Sequence, residues 1–164
     1  MIWSLFGIPI FFAIEDAVDK TLKIVNPQLK SHAIQTDFRY TSKHTVHGYQ
    51  SELEQSIMII ISNAQDALIE NNIEEPRIDI SISTFEEGYV VLSIEDNGGG
   101  ISDEIMDRIF EPYFTTKEQG KGTGIGLYMS KLIVEKHMDG FLSVENSQEG
   151  ACFKIGLSFS ENKM

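Results

Sequence analysis

Apolar positions along this chain recur in two rhythms, one of three to four residues and one of two. Between Glu15 and Val25, the positions of Ala17, Leu22 and Val25 predict a helix. It should stop before Pro27, because a proline pushes the residue ahead of it out of helical geometry. Ile34 to Tyr40 alternate weakly, which predicts a strand. "SELE" at 51 to 54 reads as a capping box, with Ser51 capping the amide three residues on and Glu54 reaching back. Behind it Leu53, Ile57, Ile60, Ile61, Ala64 and Leu68 keep helical spacing as far as Glu70. The rhythm then drops to two. "RIDISIS" alternates Ile78, Ile80 and Ile82 with polar residues, "EEGY" turns the chain, and "YVVLSIED" returns, predicting a hairpin.

"NGGGI" ends that second strand in a loop, and Ser102 stands as the N-cap of a short helix, Asp103 to Phe110. Glu111 to Gly122, with a proline, paired threonines and glycines, predicts a mobile loop. A helix from Gly124 to His137, a turn at "DG", a strand Phe141 to Glu145, a turn at "SQEG" and a last strand Cys152 to Phe159 complete the chain. Helices and a largely antiparallel sheet in mixed order predict an α/β (α+β) two-layer sandwich.

The head resists this pattern. From Trp3 to Ala13 nearly every residue is apolar, and Pro9 breaks any helix through the middle. The run is too short for a membrane span, which needs about 20 residues. It also has neither the basic start nor the small-x-small site of a signal peptide. We expect a strand or extended arm packed on the domain or on a second copy, the latter giving a homodimer, or else a stump of a longer chain or an added segment. The expected division is an arm over residues 1–14 and one domain over 15–164.

Composition narrows the function. A hydrophobic content of 41% with 23% charged residues fits a soluble globular domain. The net charge of −12 argues against a nucleic-acid or anionic-membrane surface, yet leaves room for a small anion held by a few local groups. The single cysteine, Cys152, excludes an internal disulfide and a cysteine-based metal cage and fits a cytoplasmic setting.

Three segments carry candidate chemistry. "EQGKGTGIGLYMSK" places Gly120, Gly122, Gly124 and Gly126 at every second position ahead of a helix, with Lys121 among them. It fails the Walker pattern, because Gly122 follows the lysine, and it fails the dinucleotide fingerprint in spacing. The physics of both survives: glycines let backbone amides approach an oxygen closely, and the helix start turns its amides and positive dipole end toward it. A flexible surface turn is the plain alternative. "EDNGGGIS" sets Asp96 at a strand end beside more glycines, where a carboxylate can accept a hydrogen bond from a purine amine; a simple turn is the alternative. Asn63 interrupts an apolar helix, and its amide oxygen suits magnesium held mainly by phosphates and water; a hydrogen bond within the core is the alternative.

In this order the segments resemble the gyrase/Hsp90/histidine kinase/MutL ATPase superfamily, whose Bergerat-type ATP-binding fold lays helices on one face of the sheet. "NAQDA" at 63 to 67 resembles its asparagine box and "DNGGGI" at 96 to 101 its first glycine box. "GTGIGLYMSKLIVEKHMDG" at 122 to 140 resembles the second glycine box, and "GACFKIGL" at 150 to 157 the closing strand, with Ala151 in place of threonine. "IFEPYFTTK" at 109 to 117 resembles the phenylalanine box of sensor histidine kinases, so the catalytic ATP-binding domain of a bacterial histidine kinase is the nearest branch.

The resemblance implies ATP and magnesium as ligands. It implies Asn63 as magnesium ligand, Asp96 as acceptor from the adenine amine, and Gly98 and Gly100 beneath the base, with Ile101, Met106 and Ile109 as apolar walls. Phe110 and Phe114 would anchor a mobile lid, and Lys117 and Lys121 would reach the phosphates. Gly122, Gly124, Gly126 and Leu127 would hold the triphosphate, with Asp66, Thr116, Thr123 and Ile125 completing the nucleotide contacts. For the phenylalanines core packing competes with the lid role, and for Lys121 solvation competes with a phosphate contact.

Two departures bear on activity. Where hydrolysing relatives carry a glutamate one turn before the asparagine, and many histidine kinases a second asparagine, this chain has Ile59, which can neither activate water nor bind metal. Ala151 lacks a hydroxyl that would support the base pocket. None of His32, His44, His47 and His137 sits in a phosphoacceptor context, and His137 reads as a helix C-cap. The implied function is presentation of Mg-ATP to a histidine on a separate helical-hairpin domain, with a response regulator downstream. An anti-sigma-factor-type serine kinase, disfavoured by Ile59, and a non-catalytic nucleotide-binding module are the alternatives.

Overall fold

The structure, a computed structural model, describes residues 7–85 and 88–160. Two strands stand apart from the main sheet. β1 (Ile10–Ala13) leads into α1 (Ile14–Ser31), and β3 (Thr45–Gly48) pairs with β1 antiparallel, Phe12 opposite Val46. Between them in sequence lies β2 (Gln35–Arg39). The apolar head is thereby divided: Phe12 enters the core at 7% exposure, whereas Ile8 and Phe11 remain 83% and 66% exposed. The head residues before Gly7 lie outside the described residues.

After β3 come α2 (Gln50–Glu70), β4 (Arg77–Phe85), β5 (Tyr89–Asp96), the single turn α3 (Asp103–Met106), α4 (Gly126–Leu132), β6 (Phe141–Asn146) and β7 (Ala151–Ser158). The main sheet runs β2-β4-β5-β7-β6, with only the β2–β4 pairing parallel. Helix α2 lies across β4 and β5, α4 lies against α2 and β6, and α1 packs on α2, so the helices form one layer and the sheet the other. The period-two pattern explains the sheet. Ile78, Ile80 and Ile82 stand opposite Asp96, Ile94 and Leu92, and the three isoleucines go inward while Ser81 opposite Ser93 faces the open side. Leu53, Ile57, Ile60 and Ile61 of α2 are at most 1% exposed. Each such burial stabilises the fold by about 1.5–3 kcal/mol.

Several local expectations are corrected. Helix α1 does not stop at Pro27 but carries it to Ser31. Pro27 is exposed, so the carbonyl it leaves without a helical donor faces water, while Leu29 beyond it is fully buried and holds the last turn to the core. The capping box does not form: α2 starts at Gln50 from an extended Tyr49, which places Ser51 inside the helix, and Glu54 accepts instead from Gln50 Nε2 at 3.0 Å. The helix after Ser102 lasts only to Met106, because successive three-residue turns at Arg108 and Glu111 tuck Ile109 inward. The helix expected over 124–137 begins at Gly126, and its last stretch, Ile133–His137, widens into a π turn that lets Ile133, Val134 and Met138 all reach the core. Strand β3 carried no signal in the sequence reading. His137 is not simply a cap: its Nδ1 meets Glu52 Oε2 at 2.9 Å, tying the end of the π turn to the start of α2.

Candidate functional site

A cleft of about 370 Å³ opens between α2, the ends of β5 and β7, and the connection from α3 to α4. Helix α2 contributes Asn63, Asp66, Ala67 and Glu70 along one face, together with Ala64. These positions recur every three or four residues, so the helix necessarily aims them together. Asn63 is half-buried in an otherwise apolar stretch. One turn earlier Ile59 packs under Gly126, where an added Cβ would stand 3.1 Å from its Cγ2.

Asp96, the last residue of β5, is 6% exposed and lines the cleft. Burial pushes its carboxyl above the usual aspartate range, against the N–H groups of Gly98 and Ala151, which favour the charged form. The Gly98 N–H donates to Asp96 Oδ1 at 2.8 Å. The neighbouring strand must come very close here. A Cβ on Gly150 would sit 1.9 Å from the Asp96 carbonyl oxygen, so this glycine is required for β7 to pass the aspartate. Gly150 is not among the site residues expected from the sequence, although the "SQEG" turn just ahead of the last strand marks its position.

The opposite wall is the irregular segment between α3 and α4. Thr115, Thr116, Lys117, Gly122, Thr123 and Gly124 line the cleft, followed by Gly126 and Leu127 at the first turn of α4, where amides have no partner within the helix. Gly124 has φ +70, and a Cβ there would stand 2.5 Å from the backbone of Tyr113, whose N–H donates to the Gly124 carbonyl at 2.9 Å. Lys117 reaches across the mouth to Asp66, 2.5 Å away. Phe114 lines the cleft with the Arg108 guanidinium 4.6 Å from its ring centre.

Of the residues expected from the sequence, Asn63, Asp66, Asp96, Gly100, Ile101, Phe114, Thr116, Lys117, Gly122, Thr123, Gly124, Gly126 and Leu127 meet in this one cleft. Gly98, Phe110, Lys121 and Ile125 stand back from it. Gly98 is buried behind Asp96. Phe110 packs edge-on against Phe153, with Lys131 Nζ 4.5 Å from its ring centre. Lys121 is exposed and pairs with Glu118 at 3.1 Å. Ile125 is the residue ahead of α4. Ile109 lines the cleft as expected for an apolar wall, whereas Met106 does not; Ile105, Ala151 and Phe153 complete the apolar side.

Among the described residues no group of three His, Cys, Asp or Glu side chains is placed to hold a metal ion. From α2, Asn63 supplies a neutral hard oxygen at the wall, which fits a cation that takes its remaining ligands from a bound anion and water. The cleft thus offers a buried acceptor at one end, an apolar floor, and at the other end a lysine and helix-start amides. That polarity suits a ligand with a flat, amine-bearing head and an anionic tail. No helix among the described residues is long and apolar enough to cross a membrane.

Several known proteins are similar to this chain in sequence or in fold. The two-component sensor PprA of Pseudomonas aeruginosa is 40% identical over 144 residues, covering 86% of this chain and 16% of the relative. The sensor histidine kinase ZraS of Escherichia coli is 35% identical over 144 residues, 85% of this chain and 29% of the relative. The chain therefore spans less than a third of either relative. The catalytic domain of histidine kinase ThkA, in a nucleotide-free form, superposes with a TM-score of 0.80 at 24% identity, over 93% of this chain and 96% of that one. At that identity the likeness speaks for the fold, the α/β sandwich described above. Residues 48–161 match the family model described as histidine kinase-, DNA gyrase B- and HSP90-like ATPase, and the chain belongs to that family.

Proposed function

We propose that this chain is the catalytic ATP-binding unit of a two-component sensor histidine kinase, presenting Mg-ATP for transfer of its γ-phosphoryl group to a histidine on a separate helical-hairpin domain. The observation that carries the reading is the meeting of Asp96, Asn63, Gly122, Gly124 and Gly126 in one cleft. Asp96 accepts the adenine amine, and the apolar side around Ile101, Ile105 and Ile109 receives the faces of the base. The first-turn amides of α4 and Lys117 draw the phosphates to the open end. Asn63 would hold a magnesium ion, which would supply charge neutralisation for the transfer.

Phosphoryl transfer is mostly positioning and charge stabilisation, so the protein needs no nucleophile of its own. Ile59 fits this division of labour. It offers no group to activate water, and its contact under Gly126 leaves the position apolar, so bound ATP is kept for an incoming histidine and not hydrolysed. The same residue disfavours an anti-sigma-factor-type serine kinase. The reading places the chain in the cytoplasm, where ATP is supplied, with a response regulator as downstream partner. The exposed edge at Ile8 and Phe11 is the proposed contact with a second copy.

The test is a titration of ATP with and without magnesium, followed by addition of the helical-hairpin domain of a close relative and radiolabelled ATP. We expect magnesium-dependent binding and label on the hairpin histidine. Binding without label on any hairpin would favour a nucleotide-binding module without kinase activity.

A further inference from the structure

The loop from Asn97 to Ile101, with three consecutive glycines, is the part of the site least able to hold its own shape. Glycine loses more backbone freedom on ordering than any other residue. Gly99 and Gly100 sit at φ +98 and +83, and Gly100 and Ile101 line the cleft. Something outside the loop must therefore fix it before a base arrives.

Asn146, the last residue of edge strand β6, does so by a two-way contact. Its Oδ1 accepts from the Ile101 N–H at 2.8 Å, and its Nδ2 donates to the Ile101 carbonyl at 2.7 Å. A side-chain amide here pairs with a backbone residue as a neighbouring strand would. The same Oδ1 lies 2.8 Å from the place a Cβ on Gly100 would occupy, so Asn146 also helps explain why position 100 is glycine. Two further bonds hold the loop from other elements: Asn71 Nδ2, just past α2, donates to the Gly98 carbonyl at 2.6 Å, and the Gly99 N–H donates to the Glu149 carbonyl at 2.9 Å. Neither Asn71 nor Asn146 lines the cleft.

We propose that Asn146 is a positioning residue for the base end of the nucleotide site, acting through Ile101, which it locks in the conformation that receives adenine. This inference rests on the nucleotide reading above and adds a prediction that reading does not make. A residue that pre-shapes the base pocket affects adenosine, ADP and ATP by the same factor, because each needs the same loop conformation. A phosphate contact such as Lys117 affects ATP and spares adenosine.

The experiment measures dissociation constants of adenosine and Mg-ATP for the wild-type chain, Asn146→Ala, Asn146→Asp and Lys117→Ala, well below each melting temperature. Amide hydrogen exchange at Ile101 is followed in parallel. Asn146→Ala removes two hydrogen bonds and should weaken both ligands equally, by about ten- to thirtyfold, with faster exchange at Ile101. Asn146→Asp keeps the acceptor and loses the donor, so it should recover part of the affinity for both ligands. Lys117→Ala should weaken ATP alone. The proposal is overturned if Asn146→Ala lowers only the melting temperature and leaves adenosine affinity intact, or if its loss is confined to ATP. Should Asn146→Ala fail to fold, unchanged adenosine affinity in a folded Asn146→Asp or Asn146→Ser with fast Ile101 exchange overturns it equally. A wild-type chain that binds no adenine nucleotide overturns the function reading itself, a result distinct from equal binding by wild type and variant.

Discussion

Asp96 is buried at the end of β5, where ionising its carboxyl costs the fold. Its folded pKa is raised by burial above the unfolded value, so the folded state binds a proton more tightly than the unfolded chain does. Its penalty is absent below the unfolded pKa, grows as pH rises through the raised value, and is complete above it. Asp96→Asn removes that ionisation. The variant should melt no lower than wild type at neutral pH, with the difference between the two shrinking as pH falls through the Asp96 titration. Thermal melts across pH check this. Its nucleotide affinity should fall by about ten- to a hundredfold, the worth of a hydrogen bond to a charged group, as read by calorimetry. Acidification of the wild type should weaken binding at a pH above the ordinary aspartate range. The aspartate was legible from its place at the strand end. Gly150, which the aspartate's backbone requires, was not, because the two residues are far apart in sequence and meet only through the β5–β7 pairing.

At the scale of elements, two features carry testable strain or competition. Pro27 sits inside α1 with its ring exposed and no N–H for the preceding turn. Pro27→Ala should restore that bond and raise stability by about 1–2 kcal/mol, after allowing for the greater freedom it gives the unfolded chain, measurable by urea denaturation. The segment between α3 and α4 is tied down by Lys117 on Asp66, and incoming phosphates would have to win the lysine from that carboxylate. Both side chains are partly exposed, so the tie is weak and screened. Asp66→Asn should speed proteolysis of the 111–122 segment in the absence of ligand and tighten ATP binding by a few-fold, more at low salt than at high. Slower cleavage in the variant would contradict this tie. Periodicity revealed the existence and type of α2, β4 and β5, but it misplaced ends. The cap of α2, the early stop of α3 and the π turn after α4 are set by packing against other elements, which no local window contains.

For the molecule as a whole, the proposed function, an ATP-holding unit with its acceptor on a separate domain, predicts that the isolated chain incorporates no phosphate. Incubation with radiolabelled ATP, followed by acid- and base-stability analysis of any label, should find His32, His44, His47 and His137 unmodified. Two of these are already engaged: His137 with Glu52, and His44 with the fully buried Glu15, whose Oε1 lies 2.8 Å from His44 Nδ1. Label on any of the four would contradict the split.

What the sequence determined by itself was the layered α/β architecture and the list of chemically unusual residues. Both follow from local rules: apolar period sets which face is buried, and a polar amide or glycine cluster inside such a pattern stands out at once. Only the tertiary structure decided which of those residues share a cleft. It also decided that Phe110 and Lys121 stand outside it and that Asn146 grips a loop forty-five residues away in sequence. Those outcomes depend on strand order and on how closely two backbones approach, and both are fixed by the packing of the whole core.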